Sequence, residues 1–80
     1  MITEIVMPRL SDTMTDGVVS KWYKAVGSEV GKGEPLVDIE SDKALVTYES
    51  DVSGIVVEIV ADEDSIVDVG QTIARIETPE

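Results

Sequence analysis

The chain repeats itself. With Gly17 laid on Gly54, an offset of 37 residues, "GVVSKWYKAVGSEVGKGEPLVDIE" (17–40) falls without a gap on "GIVVEIVADEDSIVDVGQTIARIE" (54–77). Identities fall at Gly17/Gly54, Val19/Val56, Ser28/Ser65, Val30/Val67, Gly33/Gly70, Ile39/Ile76 and Glu40/Glu77, while Val18/Ile55, Leu36/Ile73 and Trp22/Ile59 stay apolar. Matching turn residues and matching core residues together argue for an internal duplication, so one structural unit must be built twice and packed on itself.

Each copy has the same plan. A strand opens at a glycine (17–23 and 54–60), followed by a polar turn. A short strand then surrounds Val30 or Val67, and a glycine turn leads to a last strand (36–40 and 72–77). "TEIVM" ahead of the first copy and "ALVTYE" ahead of the second add one strand each. The apolar residues are mostly Val, Ile, Leu and Ala, with no Phe, and β-branched side chains favour strands. The expectation is an all-β domain, a flattened eight-strand barrel or sandwich of two four-strand halves related by a quasi-two-fold axis. In this reading all six glycines serve turns, and Trp22 belongs to the core. The domain covers residues 1–77, and "TPE" at 78–80 starts a linker.

Eighty residues with a formal charge of −11 exclude several functions. The acids are spread over the whole length, and a phosphate backbone would repel them, so the chain is not expected to bind nucleic acid. No apolar run approaches the roughly 20 residues that span a bilayer, so no membrane partner is expected. The opening "MITEIVMPRL" has no basic region ahead of an apolar one and does not read as a signal or transit peptide. There is no cysteine and no histidine, which removes disulfides, thiolate metal sites, the commonest general base and the histidine-based triads. "DEDS" (62–65) clusters acids without a full calcium-loop pattern and aligns with the plain turn "AVGS"; it reads as a solvated turn, and no metal site is expected. Participation in catalysis would mean carrying a group.

"DIESDKALVTYES" (38–50) offers the group to carry it. Lys43 stands at the apex of a hairpin, flanked in sequence by Asp38, Glu40, Asp42 and Glu49. Under the repeat Lys43 falls on Glu80, so the hairpin tip and the chain end take equivalent places at opposite ends of the domain. The loop "PRLSDTMTD" (8–16) is longer than its counterpart "SDVS" (50–53) and lies at the same end as Lys43. Two readings of Lys43 fit: a solvated turn residue, or a lysine displayed for enzymatic acylation. An ammonium among carboxylates has no cause for a lowered pKa, so it is a poor base or Schiff-base former.

"MPRLSDTMTDG", Trp22, "GSEV" with "GKGEPL", and "IESDKA" resemble, in order and spacing, the lipoyl domains of 2-oxo-acid dehydrogenase acyltransferases, over residues 3 to about 77. The resemblance implies that Lys43 carries lipoic acid as an amide, with Asp42 and Ala44 shaping the turn that presents it. The arm would take an acyl group from a thiamine-diphosphate 2-oxo-acid decarboxylase and pass it to coenzyme A at the acyltransferase catalytic core. Dihydrolipoamide dehydrogenase would reoxidise it, and a lipoate ligase or lipoyl transferase would attach it. The isolated domain is then a monomeric carrier, not an enzyme, from the N-terminus of a larger protein. It is expected in a prokaryotic cytoplasm, or in the mitochondrial matrix if eukaryotic.

Leu10, Ser11, Thr13 and Met14 in the long loop are candidates for contact with the decarboxylase, with Met14 alternatively a cover for the core. Glu40 and Asp42 either dock by charge or form a solvated acidic face. The rivals are a biotinyl carrier domain, whose tip reads Met-Lys-Met where Asp42 and Ala44 stand here, and an unmodified adaptor of the same fold. "MPxLSxTM" leans toward pyruvate, and "ESDKA" occurs in branched-chain relatives.

Overall fold

A computed structural model describes residues 1–42 and 44–79. Their eight strands are β1 (Ile2–Val6), β2 (Asp16–Trp22), β3 (Glu29–Val30), β4 (Pro35–Glu40), β5 (Leu45–Glu49), β6 (Gly54–Ile59), β7 (Ile66–Asp68) and β8 (Thr72–Glu77). They form two antiparallel four-stranded sheets in the orders β1-β8-β6-β3 and β5-β4-β2-β7. The architecture is a sandwich of two open sheets rather than a closed barrel. The molecule measures 35 × 20 × 19 Å.

The duplication governs this arrangement. Replacing each strand by its repeat partner (β1 by β5, β2 by β6, β3 by β7, β4 by β8) converts one sheet order into the other. The halves of the sequence are not the halves of the structure, however. Each sheet takes two strands from each copy, so neither copy can bury its apolar side alone.

The core follows the repeat residue by residue. Val19 and Val56, Leu36 and Ile73, Val37 and Ala74, and Ile39 and Ile76 are all completely buried. Removing such a side chain from water contributes on the order of 1.5–3 kcal/mol for each valine, leucine or isoleucine. Even the turns repeat. Gly27 N donates to Val56 O (2.7 Å) and Asp64 N to Val19 O (2.6 Å), two equivalent bonds that tie the turn of one copy to the strand of the other. Gly27 has φ 94° and Asp64, its repeat partner, φ 73°; the second turn therefore keeps a left-handed backbone with a side chain on it.

Two glycines correct the expectation that all six serve turns. Gly17 and Gly54 sit inside strands, where a side chain would not fit. A Cβ on Gly54 would lie 2.1 Å from the carbonyl oxygen of Glu77, and one on Gly17 would lie 2.7 Å from Met14 Cε. Trp22 is half-buried at the rim of the core, and its indole N–H donates to Ala61 O (2.8 Å). The "DEDS" turn does structural work: Glu63 Oε2 accepts the Trp22 backbone N–H (3.0 Å).

Candidate functional site: the β4–β5 hairpin tip

The tip is the end of a long ladder. β4 and β5 pair from Pro35↔Glu49 to Glu40↔Leu45, and the next rung is the turn itself, where Ser41 N donates to Ala44 O (2.8 Å). The Ser41 hydroxyl reinforces that closure, donating to Ala44 O (3.1 Å) and accepting from Ala44 N (3.3 Å). Between these two residues stand only Asp42, which is exposed, and Lys43, which lies outside the described residues. Ala44 is exposed as well.

The same rung recurs at the other end of the molecule. Thr78 N donates to Met1 O (2.7 Å), and the Met1 ammonium donates to Thr78 O (3.1 Å). Thr78 is the repeat partner of Ser41, so the hairpin tip and the junction of the two termini are two-fold equivalents. The tip therefore lies at the end of the molecule opposite the junction of the termini.

What holds the tip steady is the strand beneath it. Leu36, Val37 and Ile39 are fully buried, and the polar residue among them is pinned. Asp38, 8% exposed, accepts hydrogen bonds from the Tyr23 hydroxyl (3.0 Å) and from Thr47 Oγ1 (2.6 Å). Lys21, opposite Asp38 on β2, holds its ammonium 4.8 Å from the Tyr23 ring centroid. These bonds tie β4 to β5 and to the residue that follows β2. Sequence reasoning missed this lock, although the repeat hints at it, since Asp38 aligns with Arg75, the charge at the equivalent place on β8, which bridges Glu4 (3.3 Å) and Glu58 (2.6 Å) on the opposite sheet.

Of the four acids flanking Lys43 in sequence, the structure leaves Glu40 and Asp42 exposed at the tip. Asp38 is buried in the lock. Glu49 pairs with Pro35 at the far end of β5.

The loop between β1 and β2 lies at the tip end. β2 leaves it at Asp16, and its register with β4 starts at Val18↔Glu40. Met7 and Met14 anchor the loop in the core at 1% and 3% exposure, in the space that the missing side chain of Gly17 leaves free. Met14 is therefore a support and not a presented contact residue, which corrects its place among the recognition candidates. Its sulfur accepts the Leu10 N–H (3.2 Å). Leu10 and Ser11 are half-buried, and the enclosed Ser11 hydroxyl has no partner among the described residues; Thr13 is exposed.

These features have known counterparts. The family described as biotin-requiring enzymes, the biotin/lipoyl family, matches residues 3–76. The chain belongs to that family. It is 47% identical over 74 residues to the dihydrolipoyllysine-residue acetyltransferase component of the pyruvate dehydrogenase complex of Corynebacterium glutamicum, covering 92% of this chain and 11% of that protein. It is 41% identical over 73 residues to the dihydrolipoyllysine-residue succinyltransferase component of the 2-oxoglutarate dehydrogenase complex of Staphylococcus saprophyticus, covering 91% of this chain and 17% of that protein. The chain thus spans under a fifth of the length of these relatives.

Among solved structures, the lipoyl domain of the 2-oxoglutarate dehydrogenase complex of Azotobacter vinelandii superposes with a TM-score of 0.78 at 31% identity, covering 95% of this chain and 98% of that one. The lipoyl branch of the family, rather than the biotinyl one, is the branch these relatives share with the chain.

The geometry fits a carried group of that kind. The tip is a closed two-residue turn on a pinned ladder, with exposed residues on either side of Lys43. Three surface grooves lie elsewhere, beside Gly31 and Pro79, beside Trp22 and Val26, and beside Val60 and Gln71, and none is bordered by Ser41, Asp42 or Ala44.

Proposed function

We propose that this domain is a non-catalytic lipoyl carrier, with lipoic acid in amide linkage to Lys43. The reading is supported above all by the closed Ser41–Ala44 turn, at the end of the molecule opposite the junction of the termini, in whose sequence Lys43 falls. Attachment joins Nζ of Lys43 to the carboxyl carbon of the acid. An ATP-derived group leaves with the carboxylate oxygen, and the nitrogen gives up its proton to solvent. A lipoate ligase or lipoyl transferase is the enzyme for this step.

When bound, the dithiolane supplies the redox and acyl-transfer chemistry, and the protein supplies position and recognition. The pinned β4–β5 ladder supports the turn in which the attachment point falls, while tethering raises the local concentration of the arm at each active site it visits. Those sites are a thiamine-diphosphate 2-oxo-acid decarboxylase, an acyltransferase core and dihydrolipoamide dehydrogenase, and the substrate class is a 2-oxo acid. Exposed Thr13, half-buried Leu10 and Ser11, and the tip acids Glu40 and Asp42 are the residues for contact with the decarboxylase.

The test is peptide mass spectrometry after incubation with a lipoate ligase, lipoic acid and ATP, with biotin and its ligase in parallel. A lipoyl amide on Lys43 and none with biotin is the expected result, and Lys43→Arg should abolish it. A folded domain that takes no lipoyl group would overturn the reading.

A further inference from the structure

Four strands end the two sheets: β1, β3, β5 and β7. An edge strand offers a row of unpaired backbone groups, and proteins usually blunt it with lysine, proline, a bulge or shortness. β3 and β7 are two and three residues long. β1 and β5 are the long edges, five residues each without lysine or proline, and in both the register break places the extra residue on the partner strand, Ile73 of β8 and Leu36 of β4. Of the two, β5 (Leu45–Glu49) is the one that starts two positions after Lys43.

Which backbone groups it leaves open follows from the turn. In an antiparallel ladder, hydrogen-bonded and non-hydrogen-bonded pairs alternate. Ser41–Ala44 is hydrogen-bonded, so Glu40↔Leu45 and Asp38↔Thr47 are the open pairs, and the N–H and C=O groups of Leu45 and Thr47 point away from β4. The side chains at the start of the strand are uncovered on both faces, Leu45 at 57% exposure and Val46 at 37%.

The charge around this edge limits what can sit on it. β4 and β5 carry Asp38, Glu40 and Glu49 and no cation, and Asp42 stands at the turn. A second copy, itself at −11, is repelled. A basic extended segment is attracted.

We infer that the outer edge of β5 is a docking rail for an extended, basic segment of the enzyme that acylates Lys43, bound as a fifth strand through the backbone of Leu45 and Thr47. This rests on the attachment proposed above. Its advantage is continuity with the tip, because a strand added beside β5 sets the enzyme's register two residues from the lysine. Amide formation needs the nitrogen in one place, and main-chain pairing fixes distance and direction irrespective of the side chains that follow.

The experiment is residue-resolved amide exchange on the labelled domain, alone and with excess lipoate ligase. The amides of Leu45 and Thr47 should exchange at least tenfold more slowly in the complex. Those of Ile2 and Glu4, at the equivalent outward places on β1, should not change. A second measurement compares the ligase kcat/KM for Thr47→Pro and Thr47→Val. Both lose the hydroxyl bonded to Asp38, and only proline removes the outward N–H, so the proline variant should be at least tenfold the poorer of the two. Modification of Lys43 with no protection at Leu45 and Thr47 would overturn the rail and leave the carrier reading standing. A folded domain that is never modified would take both down.

Discussion

Gly17 and Gly54 are repeat partners, and replacing each by alanine should have different consequences. At Gly54 the added methyl would meet backbone, the Glu77 carbonyl oxygen at 2.1 Å and its carbon at 2.9 Å, with Ile76 Cγ2 also at 2.9 Å. Backbone in a paired strand cannot turn aside, so β6 and β8 must separate locally. At Gly17 the nearest atoms are the Met14 methyl at 2.7 Å, Ile39 Cγ2 at 3.1 Å and the Met7 sulfur at 3.2 Å. Two of those are the far ends of flexible, unbranched side chains that can change rotamer.

Overpacking of a closed site costs roughly 1–3 kcal/mol, and more where nothing yields. Against it stands a gain of roughly 0.4–1 kcal/mol from the stiffer unfolded chain. Gly54→Ala should therefore lose about 2 kcal/mol net, and Gly17→Ala about 1 kcal/mol or less. For a domain of this size 1 kcal/mol moves Tm by roughly 4–8 °C, so the expected drops are about 8–16 °C and under about 8 °C. Thermal unfolding followed by circular dichroism, with Trp22 fluorescence as a second probe, reads both. Equal losses, or a larger loss at Gly17, would refute the argument that the identity of the neighbouring atom, backbone or flexible tip, decides the cost.

Three further outcomes follow from single contacts. Asp64→Gly should raise Tm by a few degrees, a gain of about 0.5 kcal/mol, because φ 73° suits glycine and Gly27 already fills the equivalent place; Gly27→Asp should lower it. Tyr48 has its pKa pushed up to about 12, first by burial and then by donating its hydroxyl hydrogen bond to Asp51. A folded pKa above the unfolded value near 10 means that its stabilising effect is complete below pH 10 and is lost as pH rises through about 12. Tyr48→Phe should remove that part of the alkaline loss in melting curves between pH 9 and pH 12. Arg75→Gln should lower Tm at low ionic strength, since it leaves Glu4 and Glu58 facing each other across β8, and the loss should shrink as salt screens them.

Much of this was legible before any coordinates. The offset that lays Val19 on Val56 and Ile39 on Ile76 marked residues that are completely buried, because a duplicated unit keeps its core positions in step. Strand positions were readable from the glycine and polar breaks, and the hairpin around Lys43 from "ESDKA" between two β-rich runs. The role of Met14 was left open, since a methionine in a polar loop reads equally as contact or cover until the space beside Gly17 is seen. Asp38 looked like one of four acids around a lysine. Only its neighbours across the sheet, Thr47 and Tyr23, show that it is held inside.

By itself, then, the sequence determined the two-fold plan, the strands and a hairpin turn far from the termini, because these depend on local alternation and on spacing along the chain. The tertiary structure decided that each sheet mixes strands of both copies, that Gly17 and Gly54 are bare for close packing, and that β5 is an open edge. Alternation states which side of a strand faces inward and is silent on which strand lies beside it. That choice is made by contacts between residues far apart in the chain, such as Val18 with Glu40 and Ile55 with Glu77.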